Sequence, residues 1–501
     1  MRQALHILKK DVRHLWIEIA VVLIATGLLV FIDTPRAFWL SNAPLPQTVG
    51  ATLVSYLLPV AWWILIVRAV HAETLTGDRE FWQTRPYSWR SLLAAKALLV
   101  ALFVNLPMLA AQAMIVQQQG FSLSAEIPSL LWNQVLLTVV FVLPVAAIAA
   151  LTTGIIQFVV MVLVLFVSLM LLSMRFMMFA AAFVGGGWRA MEWIRTYYDL
   201  LVIAIGAAAA LLWQYARRRT LGARVLAAGV AMVLAAGAPI SWAAGFGIQS
   251  RLSRRAVAES AIRVGYNSKL EFTTRALIDR NQRVNLHIPL QLAGIADDVM
   301  VKTEGLVATI EGAGGAVWRA DDHPWANAGS TGRLIALQTM VDESFYEKVK
   351  DQSVRVRGYL YVTLYGNPQV TKVPFGDRTV PVPGMGICAA SAVPGAPYFL
   401  TCRSAFRPEA DLVSVSFSAS PDVVDYSPRR PISYSPFPAE LSIDPVTPYV
   451  AYSTFKAPAP DAIQGRPLDA VTVEALEPVA HVRAPLTIDG LRLAQFEARL
   501  K

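Results

Sequence analysis

The first half of this 501-residue chain is short of charge. Residues 1–249 carry 17 Lys or Arg and 9 Asp or Glu, so 26 of 249 positions are charged; the rest of the chain holds 27 basic and 26 acidic side chains. Soluble domains run at about a quarter charged residues, so a single water-soluble globule is excluded. Nearly all of the net charge of +9 falls on that first half. Its basic residues lie between apolar runs and form no patch or stripe, so no nucleic-acid partner is expected. Catalytic signatures are missing as well. There is no Gly-x-x-x-x-Gly-Lys-Ser/Thr loop, no His-Glu-x-x-His and no Gly-x-Ser-x-Gly. Neither an enzyme nor a cofactor is expected in this chain. The six histidines are scattered, and Asp321-Asp322-His323 before Pro324 reads as a solvated turn rather than a metal site.

The charge-free intervals are what the first half does contain. Each can hold about 20 apolar residues, enough to cross a bilayer, and the interval from Glu126 to Arg175 can hold two around Thr152-Thr153-Gly154. Seven spans are predicted, near 16–32, 50–67, 97–116, 131–151, 155–174, 197–214 and 225–246. The clusters Arg2/Lys9/Lys10/Arg13, Arg68/Arg79/Arg85/Arg90/Lys96 and Arg217/Arg218/Arg219/Arg224 then share one side. By the positive-inside rule that side is cytoplasmic. An odd span count puts the C-terminal half outside, against the mild opposition of Arg251, Arg254 and Arg255. The expectation is a multi-pass protein of a bacterial inner membrane. Its N-terminus is cytoplasmic and its C-terminal domain extracytoplasmic or periplasmic.

Residues 1–15 precede the first span without a small-residue cleavage site, which argues against a signal peptide. Leu5, Leu8, Val12, Leu15 and Trp16 recur at helical steps, while Gln3, His6, Lys9, Lys10 and Arg13 face away. This pattern predicts a basic amphipathic helix lying against membrane lipids. The hairpin from His71 to Lys96 concentrates charge with Phe81, Trp82, Tyr87 and Trp89; Ser88 is placed to cap the next helix, and Lys96 to snorkel to the headgroups. Such a rim suits either a docked partner or an aromatic interfacial belt. Within the spans the polar candidates are Asn105, Gln112, Asn133, Gln134 and Gln157, none ionisable. They read as helix-to-helix glue, with contact to a transported substrate as the alternative.

With Lys9-Lys10-Asp11-Val12-Arg13 and the loop bearing Glu73, Gly77, Glu80, Arg85-Pro86, Arg90 and Lys96, the chain resembles the membrane permeases of type-2 ATP-binding-cassette (ABC) exporters. The apolar run Phe176–Trp188, too short to span, matches that family's re-entrant or interfacial helix on the outer side. The resemblance covers about residues 1–215. It implies a separate cytoplasmic ABC ATPase, docked where Glu73, Asp78, Glu80, Arg85, Pro86 and Arg90 lie, and a second permease chain as homo- or heterodimer. The family usually has six spans and seldom a 250-residue exterior domain.

The second half changes period. Leu286, Ile288, Leu290 and Leu292 alternate with polar residues, as do Val354, Val356, Leu360, Val362 and Leu364 with Arg355, Arg357, Tyr359, Tyr361 and Tyr365. Asp489-Gly490 reads as a hairpin turn, and helices are expected only near 252–265 and 342–350. Ten prolines between 421 and 467 predict extended, looped chain. The fold class is therefore an α-helical polytopic membrane domain followed by an all-β, sandwich-like domain. Its parts are an interfacial helix (1–15), a transmembrane domain (16–248), a helical juxtamembrane connector (249–283) and a β-rich domain (284–501). Cys388 and Cys402 are the only cysteines. A disulfide between them fits an oxidising exterior, with two buried thiols as the alternative. Two function classes stand: an ABC-type permease that exports or extracts a substrate, and a non-transporting membrane receptor or scaffold carrying a β-sandwich binding module.

Overall fold

The computed structural model describes residues 2–32, 45–73, 88–183, 192–268, 283–320, 334–391, 399–405, 412–416, 449–456 and 470–496, apart from 239, 297 and 377. Its N-terminal part is helical: α1 (Arg2–His14), α2 (Trp16–Ile32), α3 (Leu45–His71), α4 (Trp89–Val100), α5 (Leu106–Gln118), α6 (Leu123–Leu136), α7 (Leu143–Ala150), α8 (Ile155–Phe183), α9 (Glu192–Arg217), α10 (Thr220–Ala236) and α11 (Trp242–Arg251). Wide π-helical turns at Ala101–Asn105 and Leu137–Val142 join α4 to α5 and α6 to α7. Each sits just before a proline, Pro107 or Pro144, and the widened turn accommodates a residue that cannot donate a backbone hydrogen bond.

Among the described residues, four helical stretches are long and apolar enough to cross a membrane: Trp89–Gln118, Leu123–Ala150, Ile155–Leu172 and Ile194–Arg217. The pair α1–α2, bent by 78°, makes a fifth if counted as one span, and Tyr56–His71 and Thr220–Ala236 are shorter apolar helices. The seventh expected span, 225–246, is not one helix. α10 stops at Ala236, Gly237 takes a positive φ of 75°, and α11 restarts behind Ser241, whose hydroxyl accepts from the Ala244 N–H. Nor does a separate helix begin at Phe176, because α8 continues unbroken to Phe183. Ile156, Val159, Val160, Leu163 and Phe166 on α8 are all exposed. A row of that kind is stable against lipid and costly against water.

The C-terminal part is a β region. The strands are β1 (Arg263–Tyr266), β2 (Arg283–Ala293), β3 (Met300–Glu311), β4 (Val317–Ala320), β5 (Leu334–Asp342), β6 (Val354–Pro374), β7 (Val380–Val382), β8 (Gly386–Ser391), β9 (Phe399–Ala405), β10 (Leu412–Ser416), β11 (Tyr449–Lys456) and β12 (Ala470–Leu491). One sheet runs β4-β3-β6-β12-β1-β2-β5, with β10 also on β12; a second runs β11-β9-β8-β7. The end strands β4 and β5 lie against each other, so the larger sheet curls. β6 and β12 form a ribbon roughly 70 Å long at about 3.3 Å per residue. Its two ends serve two cores. Val356, Leu360 and Val362 enter the larger, whereas Val373, Val471 and Val473 join Cys388 and Cys402 in the smaller. The alternating Leu286, Ile288, Leu290 and Leu292 are buried as expected.

Three local expectations differ. Asp489-Gly490 is a bulge inside β12, not a hairpin turn: β12 runs on to pair Leu491 with Val354, Gly490 takes φ 79°, and Asp489 pairs with Arg355. The connector 249–283 is not helical throughout. It holds the end of α11, a 3-10 turn at Glu259–Ala261 and β1, while residues 269–282 lie outside the described residues. Helix α12 (Glu343–Val349) does lie where a helix was expected. The alternation of Tyr359, Tyr361 and Tyr365 with apolar residues predicts a half-exposed sheet face, but Tyr361 and Tyr365 are buried and Tyr359 alone of the three is open. Tyr361 is covered by α11, whose Trp242 and Phe246 contact it with ring centroids 4.7 and 5.0 Å away. Gly305 permits this approach, because a Cβ there would come within 2.8 Å of the Trp242 ring.

Candidate functional site

The strongest constellation in the helical region is a buried charge cluster under α1. The buried side chains of this helix are Ala4, Ile7, Leu8 and Asp11, followed by Leu15 beyond its end. Leu5 and Trp16, expected on the apolar face, are 55% and 63% exposed. The helix is thus rotated from its predicted orientation, and the rotation turns an aspartate inward. Lys96 of α4 answers it: its Nζ donates to Asp11 Oδ2 at 2.8 Å and lies 2.5 Å from Glu73 Oε2. Lys10 Nζ donates to Glu73 Oε1 at 2.5 Å. Lys96 therefore does not snorkel to headgroups; it is 5% exposed. Two carboxylates and two ammonium groups tie α1 to the end of α3 and the first turns of α4. Arg68 and Glu18 add a link from α3 to α2.

Burial dominates the electrostatics, and the two carboxyls respond in opposite directions. Desolvation raises Asp11 above its ordinary value, outweighing the attraction of Lys96. Glu73 is desolvated too, but Lys96 and Lys10 together outweigh that and hold its carboxyl below the ordinary value. Asp11 Oδ1 is buried without a hydrogen-bond partner among the described residues. The cluster ties α1 to α4 through ion pairs.

A second set of contacts closes the same end of the bundle. The His71 ring Nε2 lies 3.0 Å from both Ala149 O and Thr152 Oγ1, and Arg224 donates to Leu151 O at 3.1 Å. The Thr152–Gly154 turn is thereby held by α3 and α10. Gln157 accepts from the backbone N–H and the hydroxyl of Thr153 and so helps to cap the start of α8.

The remaining expected site residues divide. Glu73 is turned inward rather than presented on a rim. Arg90 is exposed, its guanidinium 5.4 Å from the Trp89 ring. Asp78, Glu80, Arg85 and Pro86 lie outside the described residues. Asn105 donates to Thr138 Oγ1 at 3.0 Å and to Gln134 Oε1 at 3.4 Å, while Gln134 donates to Gln112 Oε1 at 2.8 Å. This amide chain joins the α4–α5 unit to α6; Asn133 is buried nearby on α6. Asp11 was the residue that sequence reasoning missed. The available signal was an acid in register with Ala4, Ile7, Leu8 and Leu15, which only a differently rotated helical face reveals. Among the described residues, no group of three or more His, Cys, Asp or Glu is placed to hold a metal.

Cys388 and Cys402 are disulfide-bonded, directly opposite each other in the β8–β9 hairpin. That hairpin touches the helical region. Arg403 Nη1 donates to Gln119 Oε1 at 2.6 Å, both residues being buried. No protein-family model and no curated protein matches this chain.

Proposed function

We propose that the chain is the membrane permease subunit of an ABC-type transporter, working with a separate cytoplasmic ATPase and a second permease chain to export or extract a substrate. The observation that carries this reading is the Asp11–Lys96–Glu73–Lys10 cluster. A plain anchor needs no buried ionic lock between an interfacial helix and a span, because an amphipathic helix already adheres to lipid. A subunit that must pass a push from a docked ATPase into its spans does need a stiff joint there. In this reading α1 and the exposed Arg90 face the cytoplasm with the ATPase. Seven spans cross the membrane, α10 being the seventh, and the β domain, with α11 packed on it, meets the substrate outside. The resemblance of residues 1–215 to type-2 exporter permeases supports the same assignment.

A non-transporting receptor or scaffold is the second reading. It is favoured by the Asn105–Gln134–Gln112 chain, in which the intramembrane amides bond to one another instead of facing a path. Affinity purification of the full chain from native membranes discriminates the two. The permease reading expects an ATP-hydrolysing subunit to co-purify, and Lys96→Met to weaken its association or uncouple its hydrolysis from transport. Purification without any ATPase would move the assignment to the scaffold.

A further inference from the structure

Between α11 and the larger sheet lies a cavity of about 620 Å³, within the range of small-molecule sites. Its wall is formed by the end of α11, the segment that leaves it, and the β6 and β12 residues beneath. Three arginines line it, Arg251, Arg255 and Arg483, against a single carboxylate, Glu259. Arg483 is committed: it donates to both Glu259 oxygens, at 3.2 and 3.4 Å, and lies 4.4 Å above the Tyr359 ring. Glu259 is thereby used up. Arg251 and Arg255 have no ion-pair partner among the described residues, although neighbouring Arg254 pairs with Glu477 outside the cavity. Ser253 also lines the cavity. Its oxygen accepts from the His481 backbone N–H at 3.0 Å, which leaves its own hydroxyl hydrogen to donate. The cavity is therefore lined by two arginines without an ion-pair partner and by a hydroxyl donor, with no uncommitted carboxylate among the described residues that line it.

We propose that this cavity is a binding site for a phosphate group, held by Arg251 and Arg255 with Ser253. Guanidinium forks match phosphate oxygens in geometry and charge. The site lies beside α11, the last helix before the β region; the proposed topology puts it next to the outer bilayer surface, within reach of a lipid phosphate and of a soluble phosphate alike. This inference holds for the permease and for the scaffold alike. It also accounts for Arg251 and Arg255 on the side of the last helix where the positive-inside rule disfavours cations.

The test uses the full chain in detergent and native mass spectrometry after incubation with phosphatidylglycerol or with diacylglycerol, which lacks the phosphate. Wild type is expected to retain phosphatidylglycerol about tenfold better, the ratio that about 1.4 kcal/mol of charge-assisted contact supports. Arg251→Gln with Arg255→Gln should abolish that preference. Arg254→Gln should keep it, and Arg255→Lys should retain part of it. Hydrogen exchange across α11 verifies that each variant is folded. Retention that withstands excess inorganic phosphate identifies a lipid as the source; displacement by inorganic phosphate identifies a soluble one, and both outcomes support the site. Equal retention of the two lipids by wild type, or an unchanged preference in the double variant, overturns it.

Discussion

Lys96 is the residue on which the helical region is most sensitive. Its ammonium is buried between Asp11 and Glu73, so Lys96→Met would leave two desolvated carboxyls facing one surface lysine. Breaking a buried pair from one side costs roughly 3–5 kcal/mol. We expect that loss in thermal unfolding of the detergent-solubilised protein, and partial recovery when Asp11→Asn is added, because the repulsion is then relieved. The same cluster sets a pH dependence of two signs. Asp11 binds its proton more tightly in the folded chain than at its ordinary 3.8, so its contribution is present in acid and is lost as pH rises through its raised value. Glu73 is lowered from 4.5, so its contribution is present above 4.5 and is lost as pH falls through its lowered value. Melting temperatures across this acid range should thus show Asp11→Asn removing a gain on mild acidification and Glu73→Gln removing a loss in stronger acid. Identical pH profiles for wild type and both variants would contradict the geometry of the cluster.

At the scale of elements, the rotation of α1 is directly measurable. Ile7 is 2% exposed and Leu5 is 55% exposed. Ile7→Ala should cost about 2–5 kcal/mol and Leu5→Ala within about 0.5 kcal/mol, in the same unfolding assay. The face read from the sequence, Leu5/Leu8/Val12, requires the reverse order. The β8–β9 hairpin offers a second case. Its disulfide joins cysteines 14 positions apart in sequence, a loop for which the chain-entropy model gives roughly 3 kcal/mol. Replacing both cysteines by serine should raise hydrogen exchange first in β8 and β9, and then at Gln119, which Arg403 of the hairpin holds. Non-reduced peptide mapping should find the linked peptides in wild type.

For the whole molecule, the decisive feature is how the two regions meet. α11 is bound to the sheet by Trp242 and Phe246 on Tyr361, and the segment after it by the hydrogen bonds from Arg255 N–H to Val479 O and from His481 N–H to Ser253 Oγ. At a separate place Arg403 holds Gln119 in the turn after α5. Among the described residues, the β region is therefore docked on the helices at more than the linker alone. If the proposed topology holds, a phosphatase fused after Lys501 is active and a fluorescent protein fused there is dark, with the opposite result for fusions at the N-terminus. Both reporters on one side of the membrane would require an even number of spans.

The order of a helical half followed by a β half was legible in the sequence, because charge depletion and apolar periodicity are local properties that a short window contains. The burial of Leu286, Ile288, Leu290 and Leu292 followed from period two alone. The disulfide was legible because two cysteines permit one intramolecular bridge. What the tertiary structure decided are matters of partner choice. Asp11 and Lys96 are 85 positions apart, and Arg403 is 284 positions from Gln119. Asp489-Gly490 has the composition of a hairpin turn, yet it is a bulge because β6 pairs with β12 on both sides of it. Lys96 has the sequence environment of a snorkelling lysine, and only the rotation of α1 supplies the carboxylate that keeps it inside. Local sequence sets which residues avoid water; which buried charge meets which is settled when distant segments pack, since a desolvated ion is stable only where its counter-charge arrives from another element.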